Sequence, residues 1–235
     1  MNLALLLILL WLSASAVIVA RDWRVSVPAL MIADLARILL SRRLTSLDAE
    51  VLLPVLPVEL MATLGAGLIL LITGITLTRE LPLEQLDEFS QMELRRAARE
   101  SQQRRAAIGR WNGLIVPVGA LVLAALATWL LSRAYPIARD PSIDAAWIFM
   151  LLSGLLALVT ATDALKLGLG LLLILMSAKL LYLGIAARLN ILHIGLLELL
   201  SLALALIVAY LSGLLYGRLR TLDLDSLFGR MRDER

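Results

Sequence analysis

Residues 163–184 read DALKLGLGLLLILMSAKLLYLG. The run is long enough to cross a membrane, because about 20 helical residues at ~1.5 Å each cover the ~30 Å of hydrocarbon. Inside it stands Lys179, a charge that costs about 2.5–3.5 kcal/mol at mid-membrane on insertion scales. The short stretch AARLN, residues 186–190, leads into a second apolar run with one acid, Glu198. That run ends at GRLRTLDLDSL, residues 217–227, where the chain turns polar. These two runs set the class of fold, a membrane-spanning helical hairpin with one charge in each arm.

The whole chain repeats the theme. Of its 235 residues, 60% are hydrophobic and 17% charged, with a mean hydropathy of +0.88. Soluble domains carry about 45–50% apolar and roughly 25% charged residues. The expected fold is therefore all-α, a polytopic transmembrane protein of about seven spans. Ten-residue blocks of alternating polarity, the mark of a membrane barrel, are absent. With no cysteine there is no disulfide, iron–sulfur or thiolate–metal site, and the single histidine, His193, cannot build a metal or haem site alone. No catalytic, cofactor-binding or metal-binding residues are expected. The net charge of +3 resides in loops, which points to membrane topology and not to nucleic acid.

Spans are predicted at about 2–20, 25–41, 51–77, 113–132, 145–161, 165–185 and 190–216. Pro54 and Pro57 predict kinked or irregular first turns in the third. Ser13-Ala14-Ser15-Ala16 looks like a signal-peptide cleavage site, but no Lys or Arg precedes the apolar run. An uncleaved first span with its N-terminus outside is the expectation. Seven spans put fifteen basic residues on one face, among them Arg21, Arg24, the 78–112 cluster and those of the tail. Five fall on the other face, Arg42, Arg43, Arg133, Arg139 and Arg188. The positive-inside rule then places the C-terminal tail and the 78–112 segment in the cytoplasm. That segment, opening at Pro82 with acids early and arginines late, predicts an amphipathic connector helix on the membrane surface. A docking site for a cytoplasmic partner is the alternative. Trp11, Trp111, Trp129 and Trp147 are expected as interfacial anchors. Paired glycines (Gly65/Gly67, Gly168/Gly170 and Gly213/Gly217) are expected to allow close helix contact.

Five charges fall deep inside spans: Asp34, Arg37, Glu59, Lys179 and Glu198. Lys179 and Glu198 are equidistant from the middle of their loop at Arg188-Leu189, so an antiparallel hairpin sets them at one depth. An ion pair between helices is predicted. The alternatives are that Lys179 snorkels to the surface or takes part in proton transfer. Asp34 and Glu59 show the same symmetry about Ser46-Leu47. Arg37 lies one turn from Asp34 and can pair with one or both acids. Such a set is either a stable buried triad or a protonatable site. His193 is expected near the outer end of the last span.

The C-terminal order is distinctive: a span, the turn Ala161-Thr162-Asp163, a basic residue, a Gly-containing span, a loop and a last span. A basic stretch and TLDLDSL, residues 221–227, follow. This resembles the three-helix K-type membrane subunit of complex I and the C-type subunit of multi-subunit sodium/proton antiporters. Over the longer chain it is similar to the E-type membrane component of hydrogenase-4, most clearly across about 145–227, and at the first span and Arg21-Asp22-Trp23-Arg24. The resemblance implies a three-span unit at 1–77, the connector at 78–112, and a fourth span with external loop at 113–144. A K-like three-helix unit at 145–217 and a cytoplasmic tail at 218–235 complete the division. It also implies larger membrane subunits of a redox or antiporter complex as partners, in a prokaryotic plasma membrane. In that family acids in the middle and last spans line a proton path. Here those positions fall on Leu172 or Leu175, and around Leu200–Leu204, while Lys179 stands where relatives carry Asn or His.

The expected function is thus a non-catalytic, mainly scaffolding subunit of a complex I-like or membrane-bound hydrogenase-like assembly. It has no cofactor of its own and a reduced or modified set of ion-path residues. One rival is a working ion-conducting subunit. Another is an unrelated small transporter or sensor, which an inverted repeat would favour; none is visible.

Overall fold

The computed structural model of the chain describes residues 3–20, 22–44, 49–78, 112–138, 140–161, 163–186 and 191–219. The predicted connector helix and most of the tail lie outside the described residues. The described chain is all helical: α1 (Leu3–Val19), α2 (Trp23–Leu44), α3 (Ala49–Thr78), α4 (Asn112–Ala134), α5 (Pro141–Val159), α6 (Ala164–Ile185) and α7 (Ile191–Leu219). Five of these, α3 to α7, contain stretches long and apolar enough to cross a membrane. The shorter α1 is apolar throughout, and α2 has the length but carries Asp34 and Arg37 in its interior. Much of the outer surface is apolar, with Val159 84% and Met61 72% exposed. Such a surface suits hydrocarbon, where helices satisfy their own backbone groups.

Six helices form two facing rows. Within the rows α1 packs on α2, α2 on α3, α5 on α6 and α6 on α7. Across them α1 meets α5, α2 meets α6 and α3 meets α7. The facing helices run in the same direction. Lys166, at the start of α6, donates from Nζ to the carbonyl of Ile18 at the end of α1, which puts the ends of α1 and α5 on one side. Leu202 of α7 lies against Gly65 of α3, and Gly195 lines a groove with Pro57, so these two helices advance together. The rows also match locally. Asp22 accepts the backbone N–H of Arg24 at the start of α2, and Asp163 accepts that of Lys166 at the start of α6. Each middle helix then carries one interior cation, Arg37 or Lys179, and each third helix one interior acid, Glu59 or Glu198. This same-direction correspondence is a parallel repeat and not the inverted repeat looked for along the sequence, and it emerges only from the packing. α4 stands apart, touching α5 and α1.

α5 and α6 approach backbone to backbone at Gly154 and Gly170. A Cβ on Gly154 would lie 2.9 Å from the Gly170 carbonyl oxygen, and one on Gly170 would lie 3.1 Å from the Gly154 carbonyl oxygen. Backbone atoms cannot swing aside as side-chain ends can. Replacing Gly170 with Leu should therefore lower stability by about 1–3 kcal/mol through overpacking, read as a fall in the thermal-aggregation midpoint in detergent. Gly119, with nothing within 4 Å of its would-be Cβ, is the control position for the same substitution.

Several expectations need correction. α3 runs unbroken from Ala49 through Pro54 and Pro57, so its first turns are not irregular by helical pattern. A proline removes one donor, and a helix packed among neighbours tolerates that loss. α5 begins at Pro141, four residues before the predicted start. Asp140 caps it by accepting from the Ser142 backbone N–H at 2.8 Å, and proline suits the first helical position. Asp144, assigned to an external loop, is buried in that first turn. It accepts from the backbone N–H groups of Ile137 and Ala138, at 3.1 and 3.0 Å, and from Trp147 Nε1 at 2.9 Å. Trp11 is no interfacial anchor: it lies mid-helix and stacks on Phe149, with ring centroids 4.6 Å apart. Gly213 is exposed and brings no helix close.

Candidate functional site: a mixed-charge network among four helices

The two middle helices and the two third helices meet around Arg37, whose side chain is fully buried. A three-residue spacing puts Asp34 and Arg37 on one face of α2. Arg37 Nε donates to Asp34 Oδ1 at 2.6 Å. The two terminal nitrogens of the guanidinium reach other helices. Nη1 lies 3.5 Å from Glu59 Oε1 on α3, and Nη2 lies 3.4 Å from Glu198 Oε1 on α7. The flat five-donor fork of arginine suits this role, since it addresses three carboxylates in fixed directions. Lys179 Nζ on α6 donates to the second oxygen of Glu198 at 2.7 Å. Thr63, one turn along α3 from Glu59, donates from its hydroxyl to Asp34 Oδ2 at 2.5 Å.

All five charges singled out from the sequence are thus in one network, and the predicted Lys179–Glu198 contact is present. Snorkelling is overturned for Lys179, which is 2% exposed. Burial alongside a carboxylate outweighs extension to the surface when the partner is already at the same depth. Three contacts are not legible in the sequence. Arg37 bridges the two hairpins by reaching Glu198, a contact set by row-on-row packing. Thr63 satisfies the second Asp34 oxygen. Arg42, assigned to a loop, lies in the last turn of α2 with Nη2 3.8 Å from Glu59 Oε2.

The network is local. Asp34, Glu59 and Glu198 face Arg37 and Lys179, leaving one excess negative charge, and Arg42 at the margin balances it. A cavity of about 10 Å³ sits among them, lined by Arg37, Glu59, Lys179, Tyr182, Leu183, Ile194, Leu197 and Glu198. A larger groove of about 410 Å³ runs between α3 and α7, walled by apolar residues such as Val58, Met61 and Leu199, with Glu198 at its floor. Towards the 160–163 turn, α6 presents Leu169, Leu172, Leu173 and Met176, all buried. Among the described residues the only other buried charge is Asp144, which its three donors hold. His193 is exposed in the first turn of α7 and meets Tyr182 edge-on, with ring centroids 6.1 Å apart. No group of metal-ligating side chains occurs among the described residues.

Fold and site together define an all-helical protein with several helices fit to cross a membrane and a buried mixed-charge network at the junction of two three-helix rows. No family model, curated protein or solved structure matches the chain.

Proposed function

We propose that the chain is a non-catalytic membrane subunit of a complex I-like or membrane-bound hydrogenase-like assembly in a prokaryotic plasma membrane. Its chief role is to hold neighbouring membrane subunits together, and α5 to α7 form its K-like unit. The resemblance across residues 145–227 supports the family, and one observation supports the scaffolding role. The charged side chains close on one another near one end of the helices, and α6 continues as leucine and methionine where relatives carry a path-lining acid. A conducting relay needs acids spaced through the whole thickness, whereas a structural node needs them only where helices must be fixed.

Affinity isolation of the tagged full-length chain from its native membrane tests this. Larger membrane subunits should accompany it, and the chain expressed alone should aggregate. A monodisperse chain in detergent that brings down no membrane subunit from its native host would sink the proposal.

The proposed topology has seven spans, with the N-terminus outside and the tail and 78–112 segment in the cytoplasm. Because the chain has no cysteine, single-cysteine variants carry no background. A cysteine replacing Ser101 should react with a membrane-impermeant thiol reagent only after the membrane is opened, and one replacing Ser46 should react in intact cells. The reverse pattern would refute the orientation.

A further inference from the structure

We propose that Glu59 is a proton-binding site of the network, reached from the 45–48 end of the helices past Arg42. Three observations lead there. The first is unequal coverage of the acids. Asp34 is held at 2.6 Å by Arg37 and at 2.5 Å by Thr63, and Glu198 at 2.7 Å by Lys179 and 3.4 Å by Arg37. Among the described residues the Glu59 carboxylate has cationic contacts only at 3.5 Å with Arg37 and 3.8 Å with Arg42. Charge-assisted hydrogen bonds are normally about 2.7–2.9 Å, so Glu59 alone gives up no short bond on becoming neutral.

The second is the charge balance. Among the described residues the buried set carries three acids and two cations, and only Arg42, its side chain 16% exposed, supplies the third. One proton on Glu59 Oε2 forms an O–H bond, takes the buried set to neutrality and frees Arg42 from its contact. The proton comes from a hydronium ion on the side where Arg42 is exposed; its O–H bond breaks and water is left behind.

The third is the cavity. At about 10 Å³ it matches the minimum for a single water molecule, roughly one probe sphere. Glu59 and Glu198 line it together with the Arg37 guanidinium and the Lys179 ammonium. Two fixed cations and so little space exclude a hydrated metal ion, whereas a proton needs neither room nor extra oxygen ligands. The groups facing Glu59 are Asp34, Arg37 and Arg42 from α2, Lys179 and Tyr182 from α6, and Glu198 from α7, with His193 beyond Tyr182. Nothing in this requires conduction. The site exchanges with one side, and the apolar layer of α6 lies beyond it.

The test is pH-difference infrared spectroscopy on the purified full-length chain with whatever subunits accompany it. The carboxylic C=O absorption that grows as pH falls, shifted in D₂O, should contain one component that is missing from Glu59→Gln and present in Glu198→Gln. Arg42→Gln removes a cation that favours the carboxylate, so the half-height of the band should move up by about one pH unit, a tenfold rise in proton affinity. A difference spectrum that loses no component in Glu59→Gln overturns the proposal. So does an unmoved half-height in Arg42→Gln, and this variant at the margin decides the matter if Glu59→Gln fails to accumulate. The readout does not depend on which subunits co-purify, so it and the scaffolding role fail separately.

Discussion

Replacing Arg37 with Met is expected to remove most of the folded protein from the membrane. The guanidinium faces Asp34, Glu59 and Glu198 at once, and its side chain is wholly buried. Without it, three carboxylates at one depth share only Lys179 and the marginal Arg42. Breaking a single buried pair costs about 3–5 kcal/mol because the remaining charge is left uncompensated. Losing the common partner of three acids should meet or exceed that range. Arg37→Lys should recover only part of the loss, since a compact ammonium cannot address three carboxylates in fixed directions. Accumulation in the membrane and the thermal-aggregation midpoint of solubilised protein report the effect. Near-normal values for Arg37→Met would show that the network is not what holds the rows together.

The second large effect concerns Lys179 and Glu198, and it is asymmetric. Glu198→Leu takes from Lys179 its short contact but leaves the buried set neutral, Asp34 and Glu59 against Arg37 and Lys179. Lys179→Leu leaves Asp34, Glu59 and Glu198 to share Arg37, with two negative charges in excess. The lysine substitution should therefore lie at the upper end of the range of about 3–5 kcal/mol and the acid substitution at or below its lower end. The double variant removes one charge of each sign, leaves the net balance unchanged and should restore much of the loss. A double-mutant cycle measures the coupling. Additive single effects would rule out the pair, and equal single effects would rule out the part assigned to the excess of acids.

A good deal of this is readable along the chain. The seven apolar runs appear as the seven helices of the described residues, because helix length and hydropathy are local properties. Lys179 and Glu198 match in depth because a hairpin with a short loop fixes register by counting. The same counting relates Asp34 to Glu59. Caps that depend on neighbouring residues are equally local, and Asp140-Pro141 carries its helix start in plain view. The polar residues between that start and the apolar run nonetheless read as loop, which is why the helix begins earlier than expected. What counting cannot supply is the contact between hairpins. Arg37 and Glu198 are far apart in sequence, and their meeting follows from α2 facing α6 while α3 faces α7, in the same direction. Apolar on most sides, these helices carry no amphipathic stripe that marks a partner, so any face could have been the inner one. Only the packing decided that both sets of charges point to one place, that Trp11 stacks inside and not at an interface, and that Arg42 closes the network. The cost of leaving a charge unpaired in a low-dielectric layer explains why the buried charges sit together. Which helices bring them there is set by the fit of side chains between rows, and that fit exists only in three dimensions.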